Sequence, residues 1–230
     1  MGFSRGPQIV TDGLVLALDA ANTKSYPGSG TTWYDLSGNG INGSVNNGPA
    51  FSTEKGGSLQ FDGVNDVISL GTGNTVFPLP QISHEFIFKS LGTVATTGTA
   101  PALLGLTYGV RLLVNSTNLQ AGFDDGVSTF QYLTTSGTNN YRDGNWYHVA
   151  VTHDGTSFKI YVNGTLSNSR TSTWTGTTRW PTNGFNLGRD NNNNNYYFYG
   201  SIGTFKLYNK ALTAEEVLQN YNATKGRFGL

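Results

Sequence analysis

The side chains that could carry out a reaction are few, and their spacing does not suit one. Glycoside cleavage needs two carboxylates about 5–5.5 Å or 6.5–9.5 Å apart, flanking one bond. The chain has four glutamates: Glu54, Glu85, and the adjacent Glu215 and Glu216 near the C-terminus. Glu85 stands alone on its strand face, with Ile87 and Lys89 at the next positions. His148 and His153 share a strand but lie five residues apart, so the two-residue period sends them to opposite faces. There is no cysteine and no Gly-x-Ser-x-Gly elbow, which leaves acyl transfer without a nucleophile. Gly71-Thr-Gly73 lacks the helix and lysine of a phosphate loop and reads as a turn. These residues point to a protein that binds or displays.

Two constellations suit binding. Asp35-Leu-Ser-Gly-Asn-Gly-Ile-Asn42 sets oxygen-bearing side chains at alternating positions in a glycine-rich loop, as a calcium ion wanting six to eight oxygens requires. Asp35 and Asn39 are its candidate ligands. The same side chains equally suit turns fastened by side-chain to backbone bonds, and both readings stand. The second constellation suits a sugar, whose C–H faces stack on flat rings and whose hydroxyls meet carboxamides and carboxylates. Trp174, Trp180, Asp190, Asn193 in the Asn191–Asn195 tract, and Tyr196 supply those groups. Packing of these rings over the end of a core is the competing role.

The elements that must hold these loops are strands. Ser58–Asp62, Asp66–Leu70, Glu85–Lys89, Leu119–Phe123, Trp146–Thr152 and Ser157–Val162 alternate apolar and polar residues or form short apolar runs. Gly63-Val-Asn65, Asp154-Gly155 and Asn163-Gly164 turn the chain between them. Gly13–Asp19 opens the set; Tyr108–Val114, Phe185–Gly188 and Ser201–Tyr208 complete it. Tyr26–Gly48 reads as a long loop around Trp33. Glu85–Lys89 reads as half-buried.

One helix is specified. Thr213 and Glu216 form a capping box, and Val217, Leu218 and Tyr221 an apolar face expected against one sandwich edge. The pattern predicts an all-β, two-sheet antiparallel sandwich with one short C-terminal helix. Residues 1–11 read as an arm, 12–224 as the domain and 225–230 as an exposed tail.

Composition narrows the function further. Among 230 residues, 31 are glycine and only 12% are charged, with a formal net charge of zero. No basic footprint for nucleic acid exists, and no apolar run approaches the ~20 residues of a membrane helix. The N-terminus lacks the pattern of a signal peptide, so synthesis in a cytoplasm is expected.

Gly13-Leu-Val-Leu-Ala-Leu-Asp19, Trp33-Tyr-Asp-Leu-Ser-Gly-Asn-Gly40 and Leu59-Gln-Phe-Asp-Gly63, taken in order, resemble the opening of laminin-G-like domains in the concanavalin A-like superfamily. Trp146-Tyr-His-Val-Ala-Val151 resembles that family's central strand, and Ile202–Thr213 its closing strand and helix. The resemblance spans roughly Asp12 to Ala223 and implies a jelly roll. The glucanases of that fold carry Glu-x-Asp-x-x-Glu along one strand, which this chain lacks. Related domains often bind calcium through the Asp35 loop and an acid on the closing strand, where this chain has Gly203. Ser4–Pro7 before Asp12-Gly13, and Tyr26–Gly30 before Trp33, resemble copies on bacteriophage tail fibres or capsid surfaces. That resemblance implies a virion-surface protein with virion proteins and copies of itself as partners and host-surface glycans as ligands. A free or cell-attached carbohydrate-binding module is the alternative.

Overall fold

The computed structural model describes residues 7–71, 81–92, 101–105, 110–123, 131–172, 185–190 and 196–230. The first half holds strands β1 (Leu14–Asp19), β2 (Thr32–Trp33), β3 (Gly43–Asn46), β4 (Ala50–Ser52), β5 (Ser58–Asp62), β6 (Val67–Ser69), β7 (Ile82–Ser90) and β8 (Ala102–Gly105). Then follow β9 (Val110–Val114), β10 (Leu119–Phe123), β11 (Gln131–Thr134), β12 (Trp146–His153) and β13 (Ser157–Val162). The last are β14 (Thr165–Thr171), β15 (Asn186–Leu187), β16 (Tyr199–Tyr208) and helix α1 (Ala214–Phe228).

The strands form two antiparallel sheets. One runs β14-β13-β12-β7-β16-β5-β4, with β1 also pairing β16; the other runs β11-β10-β9-β8-β15-β6-β3-β2. Their facing sides enclose the main core, in which Trp33, Phe61, Phe86, Phe88, Phe158, Phe198 and Phe205 are buried. This is the two-sheet sandwich that the alternation predicts, and the jelly roll that the resemblance implies.

Strand β7 shows how the middle of the first sheet is kept from water. Ile82, Phe86 and Phe88 point into the main core, while Ile87, on the opposite face, joins Trp146 and Phe228 in a separate cluster. Eight of its nine residues are buried, so it is not the half-exposed strand its alternation suggests. The reason is α1, which lies across the outer face of the sheet rather than along a sandwich edge. Its capping box forms as expected: Thr213 Oγ1 accepts from the Glu216 amide at 3.2 Å, and Glu216 Oε2 accepts from the Thr213 amide at 2.9 Å. Its buried residues are Val217, Asn220 and Phe228, whereas Leu218 is exposed.

The C-terminal residues and the described part of the N-terminal arm meet at this face. The helix runs to Phe228, so residues from 225 onward are not the exposed tail expected. The described part of the N-terminal arm lies against the same helix. The Val10 amide donates to Asn220 Oδ1 at 2.7 Å, and Gln219 Nε2 donates to the Gln8 carbonyl at 2.8 Å.

The loop Tyr26–Gly48 contains β2 and β3, which sequence reasoning misses because glycines and serines interrupt its apolar pattern. Its Asp35–Asn39 stretch covers the free side of β1. The Leu36 amide donates to the Ala17 carbonyl at 2.8 Å, and Asp35 Oδ1 accepts from the Ala17 amide at 3.0 Å. Ser37 Oγ and Asn39 Nδ2 both donate to the Val15 carbonyl, at 2.8 and 2.9 Å. An edge that would otherwise offer unpaired backbone groups is thereby closed.

Candidate functional site

The connection from β11 to β12, residues 135–145, crosses the rim of the sandwich between the two sheets. Three sets of bonds fix it. Ser136 donates from its hydroxyl to the Ser167 carbonyl and from its amide to Ser167 Oγ, the latter at 3.1 Å. The Asn139 amide donates to the Thr117 carbonyl at 2.8 Å. Arg142 Nε donates to the Val114 carbonyl at 2.9 Å. Asp143-Gly144 then turns the chain into β12, with Asp143 Oδ1 accepting from the Asn145 amide at 3.0 Å.

Between this loop and the start of β14 lies a groove of about 510 Å³, lined by Asn139, Asn140, Tyr141, Asp143, Tyr147 and Leu166 among others. Tyr141 is buried and meets the half-buried Tyr147 ring edge-on, with centroids 5.0 Å apart. Phe88 backs Tyr147 from the core at 6.0 Å. The ring is therefore held in place before any ligand arrives, which lowers the ordering cost of binding. Leu166, 48% exposed, adds an apolar wall.

One charge sits in the groove. The Tyr147 phenol donates to Asp143 Oδ2 at 2.8 Å, and Asn145 Nδ2 donates to the same oxygen at 2.8 Å. Partial burial pushes the Asp143 carboxyl up, but hydrogen bonds from the Asn145 amide, the Tyr147 phenol and the Asn145 carboxamide together hold it below the ordinary carboxylate range. Burial, then the bond to Asp143, push the Tyr147 phenol up to about 12. At neutral pH the groove thus presents an anion, a neutral phenol, two carboxamides and a ring. A polyhydroxylated ligand can donate hydroxyls to Asp143, trade bonds with Asn139 and Asn140, and lay C–H groups on Tyr147. A larger groove, about 750 Å³, lies between Leu14, Asn39, Ile41, Leu70 and Asn209. It has neither ring nor charge in its lining and offers a sugar less.

A family model with the description concanavalin A-like lectin/glucanases superfamily, a laminin G type, matches residues 62–218. The chain belongs to this family. No curated protein matches it in sequence. Among solved structures, the binding domain of Paraclostridial Mosquitocidal Protein 1 superposes with a TM-score of 0.75 at 18% identity, over 93% of this chain and 52% of that one. The botulinum neurotoxin serotype D binding domain gives 0.68 at 16% identity, over 92% and 52%. The serotype D ligand binding domain in complex with N-acetylneuraminic acid gives 0.65 at 18% identity, over 92% and 51%. The chain spans about half the length of these structures. At such identities the likeness is one of fold.

In this concanavalin A-like domain the sequence-predicted ligand residues do not form one described site. Trp174, Trp180 and Asn193 lie outside the described residues. Asp190 is fully buried and ion-paired with Arg111 at 2.9 Å, so its carboxylate faces a partner inside the fold rather than a ligand. Tyr196 is half-buried against Ala102 and Leu113, and its carbonyl accepts from the Asp190 amide at 3.2 Å. The groove residues escape sequence reasoning because Tyr147 reads as one more strand position. The cluster Asn139-Asn-Tyr-Arg-Asp143, four residues ahead of that tyrosine, is the signal that was there.

In the Asp35 loop the side-chain oxygens fasten turns, as one of the two readings expects. Asp35 Oδ1 accepts from the Ala17 and Ser37 amides, and Oδ2 accepts from the Ile41 amide at 3.3 Å and lies 2.7 Å from Ser37 Oγ. Asn39 directs its nitrogen, not its oxygen, at the Val15 carbonyl. A Cβ on Gly203 would lie 2.6 Å from the Phe228 ring, so the position at which the resemblance implies a second acid is filled by the helix. Among the described residues, no group of three or more His, Cys, Asp or Glu side chains is placed to hold a metal.

Glutamates are equally committed elsewhere. Glu54 pairs with Lys89 at 2.5 Å and accepts from Trp146 Nε1 at 3.2 Å. Glu85 is buried under α1, and Glu215 and Glu216 sit in the first turn of that helix. None of them lines the groove beside Asp143.

Proposed function

We propose that this domain is a non-catalytic virion-surface protein of a bacteriophage, a fibre or capsid-decoration subunit that touches host-surface glycans through the Tyr147–Asp143 groove. The observation that carries the glycan reading is the pre-set tyrosine ring beside a single ionised carboxylate and two carboxamides. One carboxylate can grip a sugar hydroxyl but cannot supply the acid and base of glycoside cleavage. The virion reading is supported by the resemblance of Ser4–Pro7 and Tyr26–Gly30 to phage copies of the fold. Self-association of the domain on the particle belongs to the same reading, as closed symmetric assembly is usual for such subunits.

A glycan array followed by calorimetry tests the binding. Reproducible affinity, lost at least tenfold in Tyr147→Ala and in Asp143→Asn, is expected. Binding that survives both changes would move the site elsewhere, and release of reducing ends from any polysaccharide would refute a non-catalytic role. Immunogold labelling of purified particles tests the virion placement, and a monomeric protein absent from particles would sink it. The second reading, a free or cell-attached carbohydrate-binding module, is favoured by the toxin binding domains among the similar structures. It shares the array result and differs in the labelling.

A further inference from the structure

Beneath α1, three side chains that rarely share a dry pocket meet at one oxygen atom. Glu85 and Asn220 are fully buried, and Lys206 is 4% exposed. Lys206 is the cross-strand partner of Glu85 between β16 and β7. Its Nζ lies 3.4 Å from Glu85 Oε2, and Asn220 Nδ2 donates to that same oxygen at 2.8 Å. The ammonium and the carboxamide are thus neighbours on one carboxylate. Buried lysines are scarce, and a buried ion pair seldom stabilises a fold better than apolar packing does.

We infer that Lys206 and Asn220 become joined by an intramolecular amide bond, with Glu85 as the proton-transferring catalyst. Lys206 Nζ lies within reach of Glu85 Oε2, so the first step is passage of one proton from the ammonium to that carboxylate oxygen. The freed Nζ lone pair attacks Cγ of Asn220. The Asn220 carbonyl is already activated, since Oδ1 accepts the Val10 amide at 2.7 Å, and that N–H stabilises the oxyanion as it forms. The carboxamide orientation is fixed by the same bond, as the Val10 amide requires an acceptor.

The leaving nitrogen is Nδ2, which already touches Glu85. Glu85 relays the proton from Nζ to Nδ2. The Nζ–Cγ bond forms, the Cγ–Nδ2 bond breaks and ammonia departs, taking with it the proton that Lys206 first gave up. The pocket then holds a neutral amide and the Glu85 carboxylate. No oxidant, metal or cofactor enters the balance. Tyr208 orients the carboxamide, accepting from Nδ2 at 2.9 Å, and His148 Nε2 flanks Glu85 at 3.6 Å from Oε1. Fixing three groups in one pocket supplies the proximity that a slow amide exchange needs. The product bolts α1 to β16 covalently and does not depend on glycan binding.

Intact mass spectrometry of the denatured full-length chain decides the matter. A mass lower than that of the sequence by one ammonia is expected. In an unlinked chain, tryptic cleavage at Lys210 separates Lys206 from Asn220; here the two should arrive as one branched ion. Lys206→Arg and Glu85→Gln should both show the full mass, their folding checked by circular dichroism. A full mass for the wild type after prolonged incubation in the folded state would overturn the inference. So would an ammonia loss that persists in Lys206→Arg, because a succinimide elsewhere would then account for it.

Discussion

The Phe228 ring rests on Gly203 so closely that a Cβ at that glycine would stand 2.6 Å from Cε1 and Cζ and 3.5 Å from Cζ3 of Trp146. Gly203 belongs to β16, whose register slips between Ile202 and Thr204, and its carbonyl accepts from the Ala20 amide at 3.0 Å. The glycine is a seat for the end of α1, and the concanavalin A-like sheet cannot carry a side chain there without displacing the helix.

Gly203→Ala is therefore expected to destabilise the domain by about 1–3 kcal/mol through overpacking. Phe228→Ala should cost about 3–5 kcal/mol by emptying the cluster it forms with Ile87 and Trp146. Urea denaturation followed by tryptophan fluorescence measures both. In the double variant the two costs should fall well short of additive, because the alanine at 203 occupies space the ring has left. Strict additivity would show that the residues do not share one contact.

The groove makes a different prediction. Asp143 is held below the usual carboxylate range and Tyr147 is pushed up to about 12, so neither changes charge near neutrality. Glycan affinity should be flat across neutral pH and fall only in acid, as Asp143 takes up its proton. Tyr147→Phe keeps the ring but removes a donor that favours the ionised carboxylate. Its acid limb should shift to higher pH, with affinity at pH 7 reduced roughly three- to tenfold, in line with one lost hydrogen bond. An unchanged acid limb would mean that Asp143 does not contact the ligand.

What the sequence makes legible is what local spacing determines. Thr213 and Glu216 are three apart and cap the same helix they are read to cap. Ser58–Asp62 and Ser157–Val162 match their strands end for end. The outer face of the first sheet is not legible in this way. The helical period puts Leu218 on the apolar face and passes over Asn220, yet Leu218 is exposed and Asn220 is buried, because Val10, Glu85 and Tyr208 all bond to it. Val10 and Glu85 lie far away in sequence, Tyr208 is on the preceding strand, and no periodicity encodes any of them. The rim groove is legible only in part, since Asp143 stands four residues ahead of Tyr147 but Leu166 reaches the groove only once β14 has paired with β13.

Asp66 sits against another acid. Its Oδ2 accepts from the Asp62 amide at 2.8 Å, while Oδ1 is buried without a partner. Burial, aided by the neighbouring Asp62 charge, outweighs that bond and raises the Asp66 carboxyl to about 6 from its ordinary 3.8. The folded state then holds a proton that the unfolded chain has already released, so this group's favourable contribution is complete below pH 3.8 and is lost as pH rises through 6. Asp66→Asn preserves the acceptor and removes the charge. It should raise the urea midpoint at pH 7.5, and the gain should vanish below pH 4. A gain of equal size at both pH values would trace the effect to packing.

His84 carries the opposite sign. It is 1% exposed in the main core, and neither ring nitrogen has a hydrogen-bond partner. Burial drives its pKa down to about 3 from an ordinary 6.5, against the pull of Glu85, so the imidazole is neutral in the folded protein. Between those values the unfolded chain binds a proton that the folded one refuses. Stability on this account is complete above pH 6.5 and drains away as pH falls toward 3. Replacing the imidazole with an apolar side chain of similar size removes both the unpaired nitrogens and the titration. His84→Leu is expected to stabilise the fold by about 1–3 kcal/mol at pH 7. Its advantage over the wild type should widen steadily in denaturation curves taken from pH 7 down to pH 4. A constant difference across that range would place a bound proton, or a polar partner, on His84 in the native state.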